Sequence, residues 1–246
     1  MKICLHAGMH KTGTTSLQEA LTAHTATLAG DGVLAYVNPP QLLVKVTNYF
    51  DPAWIRRQVE SAEKAGYSML LFSSEAISIL GREQMQSLLA AFGDRPVRVV
   101  LALRHWSGYL PSRWKQNCVR HDTQSFPAYL DALHSADGRH LDSNYAQIVN
   151  SMRADGRTDL RVISYDNARR ADDLQYQLLT AAGLSDDTAA HIAARTPLVH
   201  QSADTDFYEL CRLFNGAWSA RMGREGNALF NGIGDQRTVR DLDNFF

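Results

Sequence analysis

The stretch "HAGMHKTGTTSLQ" at residues 6–18 follows a short apolar run, Lys2–Leu5, and the fold turns on how it is read. An apolar run, a turn holding Gly13 and then a helical pattern is an order of elements that aims backbone N–H groups at an anion. The first turn of a helix has unpaired donors, and the helix dipole adds about half a positive charge there. Thr14, Thr15 and Ser16 bring hydroxyls to the same place, and Lys11 brings a full positive charge. The spacing is close to the nucleotide loop G-x-x-x-x-G-K-[ST], with Gly8 and Gly13 correctly separated. Thr14 occupies the lysine position, however, and the lysine stands two residues before Gly13. Magnesium-dependent phosphoryl transfer relies on the lysine after the glycine and the hydroxyl after that. The loop, residues Lys11, Thr12, Gly13, Thr14, Thr15 and Ser16, is therefore expected to grip an anion without that apparatus.

Outward from the loop, short apolar runs alternate with amphipathic stretches. Strands are predicted at Lys2–His6, Val33–Val37, Met69–Phe72, Val97–Leu103 and Leu160–Ser164. Leu17, Leu21, His24 and Leu28 recur at helical spacing, which predicts one helix from Thr14 to about Leu28, ended by Gly30-Asp31-Gly32. Asp51 before Pro52 predicts a capped helix running to Gly66. Further helices are predicted at Arg82–Phe92, on to about Arg120, at Phe126–His134, Asp172–Ala182 and Asp204–Trp218. Pro111 must lie in the first turn of its helix or kink it. The alternation predicts an α/β fold with a central parallel sheet flanked by helices, of P-loop nucleotide-binding type, in a single domain over residues 1–246.

The 246 residues are 45% hydrophobic and 21% charged, enough to build a sizeable core, and the net charge of −1 argues against a nucleic-acid-coating protein. Cys4, Cys118 and Cys211 are far apart and form no Cys-x-x-Cys pair, so neither a zinc site nor a disulfide framework is signalled. The N-terminus lacks a secretory pattern and no apolar stretch is long enough to span a bilayer, so the expected compartment is cytoplasmic. The apolar positions Phe207, Leu210, Leu213 and Phe214 are expected in the core. Trp106, Tyr109 and Trp114 fit either the core or a stacking surface for an acceptor.

A second anion site is signalled by "LRHWSGYLPSRW", where Arg104 leaves the fourth predicted strand and Ser112 follows eight residues later. Ligands of open α/β sheets bind beyond the carboxyl ends of the strands, so Arg104 belongs to the same edge as the loop. An arginine with a hydroxyl can hold a terminal phosphate. On "HKTGTTS" (10–16), "RHWSGYLPS" (104–112) and "ISYD" (163–166), the chain resembles the sulfotransferases that use 3′-phosphoadenosine 5′-phosphosulfate. The resemblance spans roughly residues 2–183. It implies that Lys11–Ser16 hold the 5′-phosphosulfate, that Arg104 and Ser112 hold the 3′-phosphate, and that Tyr165 lies near the adenine. The family's proline before the lysine and tryptophan after the threonines are replaced by His10 and Ser16. Its C-terminal phosphate contact has only Arg221 and Arg224 in "RMGREG" as candidates.

Sulfonate transfer to an alcohol or amine also needs a base. The cytosolic branch places a histidine beyond the strand matching Met69–Phe72. Here that position has Glu75, as the carbohydrate-modifying branch does, so Glu75 is expected as general base beside Lys11. His10 on the loop is the alternative, while His6 is expected to pack at its strand end and His105 to point away. The acceptor is then a small molecule or a carbohydrate, with no metal required. Two other readings stay open. One is a P-loop small-molecule kinase using ATP, with Mg²⁺ on Glu75 or Asp166. The other is a nucleotide-binding protein without catalysis.

Overall fold

The computed structural model describes residues 1–42, 51–120, 122–135, 144–196 and 205–222, without the side chains of 218, 219, 221 and 222. The chain divides into two compact units, Met1–His105 with Asn144–Val199, and Trp106–Ser143 with His200–Phe246.

The first unit holds β1 (Lys2–Ala7), α1 (Thr14–Ala23), α2 (Thr25–Gly30), β2 (Val33–Val37), α3 (Pro52–Lys64), β3 (Met69–Ser74), α4 (Arg82–Ala91) and β4 (Val97–Leu103). The second contributes α5 (Trp106–Arg120) and α6 (Phe126–Ser135). The chain then returns to the first with α7 (Tyr145–Met152), β5 (Asp159–Ser164), α8 (Tyr165–Arg170), α9 (Leu174–Ala182) and α10 (Asp186–Ala193), and ends in the second with α11 (Thr205–Met222). Single 3₁₀ turns cover Pro40–Leu42 and Glu75–Ile79.

The five strands form one all-parallel sheet in the order β2-β3-β1-β4-β5. Helices cover both faces, which is why β3 is buried along its whole length and β1 from Ile3 onward. Alternation along the strands separates two cores. Cys4, Leu71, Val100, Ala102 and Ile163 face α1, α2, α9 and α10 through Leu17, Leu21, Leu28, Leu178 and Ile192. Burial pushes the Cys4 thiol up to about 12, so it is inert packing. On the opposite face Phe72 meets Tyr36, Trp54 and Phe92 at ring-centre distances of 5.5, 6.2 and 5.8 Å, which brings in α3 and α4.

The predicted strands and the Asp51 cap are present, with Asp51 accepting from the N–H groups of Ala53 and Trp54. The helix predicted from Thr14 to Leu28 is two helices instead, broken at His24 (φ −110°, ψ 29°). Three threonines crowd the break, and the Thr22 hydroxyl bonds back to the Gln18 carbonyl at 2.8 Å, which loosens the helical ladder. Pro111 lies inside α5 and not in its first turn.

The second unit corrects one expectation. Its core is Trp114, Cys118, Tyr129 and Leu133, and Tyr109 is also buried, whereas Trp106 is exposed. The stripe expected to be core on α11 is not. Leu210, Leu213 and Phe214 are 65%, 57% and 51% exposed, and Phe207 is half-buried. The inward face uses Tyr208, Arg212 and Asn215. The Asn215 amide donates to the carbonyls of Cys118 (2.7 Å) and Asp122 (3.1 Å), and Arg212 donates to that of Thr123. Satisfying the carbonyls of the last turn of α5 and of the segment just after it favours this rotation of α11, and the apolar stripe turns outward. No described helix is long and apolar enough to cross a membrane.

These placements predict opposite outcomes for two truncations. Phe72→Ala should lose about 3–5 kcal/mol in urea denaturation. Leu213→Ala should change stability by no more than about 0.5 kcal/mol.

Candidate functional site

In the order β2-β3-β1-β4-β5, the chain leaves β1 toward β2 and leaves β4 toward β5, in opposite directions. Neighbouring strands whose connections diverge open a crevice beyond their carboxyl ends, where α/β sheets bind ligands. The two loops that flank it are those carrying Lys11 and Arg104.

The loop after β1 curls around one carbonyl. The hydroxyls of Thr12 and Thr14 donate to Met9 O at 2.7 and 3.1 Å, and both threonines are buried. Their protons therefore hold the loop together, a use the sequence did not suggest. Thr15 is exposed and Ser16 is buried. Two glycines are needed at this curvature. A Cβ on Gly8 would stand 2.5 Å from Thr14, and one on Gly13 would stand 2.8 Å from Leu174, at a φ of +79°. Gly13 is the N-cap of α1 and no side chain caps that helix, so its dipole end faces the loop without an acidic side chain in the first turn. Lys11 itself is left-handed, with φ 63°, a conformation uncommon outside glycine.

Arg104 reaches this loop. Its Nη1 donates to Lys11 O at 3.2 Å, and its guanidinium lies over the Tyr165 ring, 5.0 Å from the centre. Its Nε is buried without a hydrogen-bond partner among the described residues. The exit of β4 is held from two sides: the Tyr145 hydroxyl donates to Arg104 O at 2.8 Å, and His105 N–H donates to Asp166 at 2.6 Å. The structure thus brings Lys11, Gly13, Arg104 and Tyr165 together. Ser112 lies on α5, in the second unit. Of the arginines proposed in "RMGREG", Arg221 belongs to the end of α11 without a described side chain, and Arg224 falls outside the described residues.

Glu75 arrives by strand register. Ala7 of β1 pairs with Ser74 of β3, so the residue after Ser74 stands beside the start of the loop. Ser74 caps the 3₁₀ turn by accepting from Ala76 N–H, and Glu75 Oε2 lies 2.7 Å from His10 Nδ1. The two alternatives for the base are therefore one pair.

Beneath the loop runs a buried polar chain. His6 Nδ1 meets the Ser73 hydroxyl at 2.8 Å, the Gln18 amide donates to the same hydroxyl, and Gln18 and Asn38 exchange amide hydrogen bonds at 2.8 and 3.2 Å. Gln18 and Asn38 were missed by the motif reading. Their one signal was a polar residue beside Leu17 on the buried side of α1 and an asparagine just past a strand. Burial lowers the His6 pKa to about 4, against a weaker opposite pull from Glu75. No family model matches this chain, and no curated protein matches it in sequence.

The buried neutral His6 makes stability depend on pH. Unfolded, the imidazole titrates near 6.5; folded, near 4. Between those values the unfolded chain binds more protons, so stability is full above about pH 6.5 and is lost as pH falls toward 4. At 1.36 kcal/mol per pH unit the loss is on the order of 3 kcal/mol. Urea titrations across that window should show the decline in the native chain and lack this component in His6→Gln.

Proposed function

We propose that this chain transfers a sulfonate group from 3′-phosphoadenosine 5′-phosphosulfate to a hydroxyl or amine of an acceptor, with a carbohydrate-type acceptor preferred. The fold is read with it as of the P-loop nucleotide-binding type. The carrying observation is the reach of Arg104 from the tip of β4 to the carbonyl of Lys11 on the loop after β1. Two cationic residues from neighbouring strand tips thereby share one crevice. That suits a nucleotide with two separate anionic ends.

In this reading the main-chain amides at the start of α1 and the Lys11 ammonium hold the 5′-phosphosulfate. As the sulfur–oxygen bond to the phosphate breaks, charge grows on the bridging oxygen, and a cation preorganised there stabilises it. Arg104 holds the 3′-phosphate, and its unsatisfied Nε supports an anion completing its hydrogen bonds. Tyr165, beneath the guanidinium, borders the adenine. Holding the acceptor in line contributes by orientation. Its proton passes to a base beside the loop, where His10 and Glu75 stand. The displacement of the lysine from the position after Gly13 disfavours ATP and Mg²⁺ as the donor system.

Calorimetric titration tests the reading. Adenosine 3′,5′-bisphosphate should bind without Mg²⁺ and more tightly than ATP, and Arg104→Ala should weaken it by about 1.5–3 kcal/mol. ATP binding that is tighter and depends on Mg²⁺ would instead favour a kinase. An unchanged affinity in Arg104→Ala would remove the second anion site.

A further inference from the structure

We infer that His10 and Glu75 form a dyad in which His10 Nε2 takes the acceptor's proton and Glu75 is the positioning residue. The inference rests on the sulfonate-transfer reading and divides between two residues a role for which the sequence offered Glu75, with His10 as the alternative. His10 Nδ1 lies 2.7 Å from Glu75 Oε2, within hydrogen-bond distance. A carboxylate only accepts, so Nδ1 is the nitrogen that carries the hydrogen. That fixes the tautomer and leaves the lone pair on Nε2, as a carboxylate does for the histidine of a catalytic triad.

Three features favour the imidazole as the proton acceptor. Imidazole is the side-chain group most often used to take a proton from a reacting group, and its Nε2 lone pair is the acceptor that role needs. His10 is the residue immediately before Lys11, so the groups serving the acceptor and the leaving oxygen are neighbours on one loop. The side chains of His10 and Glu75 are 25% and 34% exposed, which lets the dyad release its proton to water after each turnover.

The pair is built by the backbone. Parallel register sets Ser74 beside Ala7, the Ser74 cap turns Glu75 into its 3₁₀ turn, and the inward Met9 carbonyl holds the loop that presents His10. In the reaction the acceptor oxygen forms a bond to sulfur while the bond from sulfur to the bridging oxygen breaks. That electron pair stays on the 5′-phosphate of adenosine 3′,5′-bisphosphate. The acceptor proton moves to His10 Nε2, and the resulting imidazolium keeps its Nδ1–H on the Glu75 carboxylate until the proton is lost to solvent.

A double-mutant cycle tests the division of labour. Turnover is read as release of adenosine 3′,5′-bisphosphate from the donor, with water and with glucose as acceptors. Donor affinity is read separately by calorimetry. His10→Ala should lower turnover roughly 10²–10⁴-fold with donor affinity little changed. Added imidazole should restore part of that loss, and none of the loss in Lys11→Ala. Glu75→Gln should lower turnover in the native background and do nothing more once His10 is gone, because groups that act as one unit are not additive. His10→Asn replaces alanine if the latter fails to fold. Full turnover in His10→Ala, or a further loss from Glu75→Gln in its background, overturns the dyad and returns the proton to Glu75. Absence of donor binding by the native chain overturns the sulfonate-transfer reading and the dyad with it, and is seen before any turnover is measured.

Discussion

β1 lies between β3 and β4 and pairs in parallel with both, and each part of the candidate site is delivered by that placement. The register with β3 sets Ala7 opposite Ser74, so Glu75 emerges beside the loop that contains His10. The register with β4 sets His6 opposite Val100, and β4 runs three residues further before Arg104 turns back to Lys11. A slip of one residue along either ladder would reverse every side chain of the strand between the two cores. The buried pairing of His6 with Ser73, which stand opposite each other in this register, opposes such a slip. The strand packing thus holds the candidate residues in position.

The loop is shaped by close approach. Gly8 lets Thr14 come within the space a Cβ would fill, and Gly13 does the same for Leu174. The result is a tight curl in which Lys11 adopts a left-handed backbone and turns its carbonyl to Arg104. Such a conformation in a residue with a side chain is retained when its surroundings over-determine it. Here the threonine hydroxyls on Met9 and the arginine on Lys11 supply that constraint from opposite ends of the turn.

Much of the sheet was legible because a buried parallel strand is a short apolar run and five such runs are present. Boundaries shifted where the run ended in small polar residues, as at Ser73 and Ser74, which a hydropathy reading excludes but the ladder retains. The glycine loop and Arg104 were legible because their residue types are demanded by geometry. The pairing of His10 with Glu75 was not, since 65 residues separate them and only strand register joins them. Gln18 and Asn38 escaped for the same reason. On α11 the apolar periodicity misled, because the spacing of Leu210, Leu213 and Phe214 describes a helix face without saying which way it turns. Hydrogen bonds from Asn215 and Arg212 decided that, and no hydropathy pattern contains them.

The charges around the crevice bear on the proposal that a near-neutral chain presents an anion site. Both acidic residues nearest the loop ends have partners in the protein: Asp166 accepts from the His105 main chain, and Glu75 lies against His10. The arginine, by contrast, retains a buried Nε without an acceptor among the described residues. An unmet donor on a cation is a standing preference for an anion, because the desolvation of that group has already been incurred in folding. Net charge therefore says little about the proposed site, for which the relevant quantity is which charges the fold has already matched.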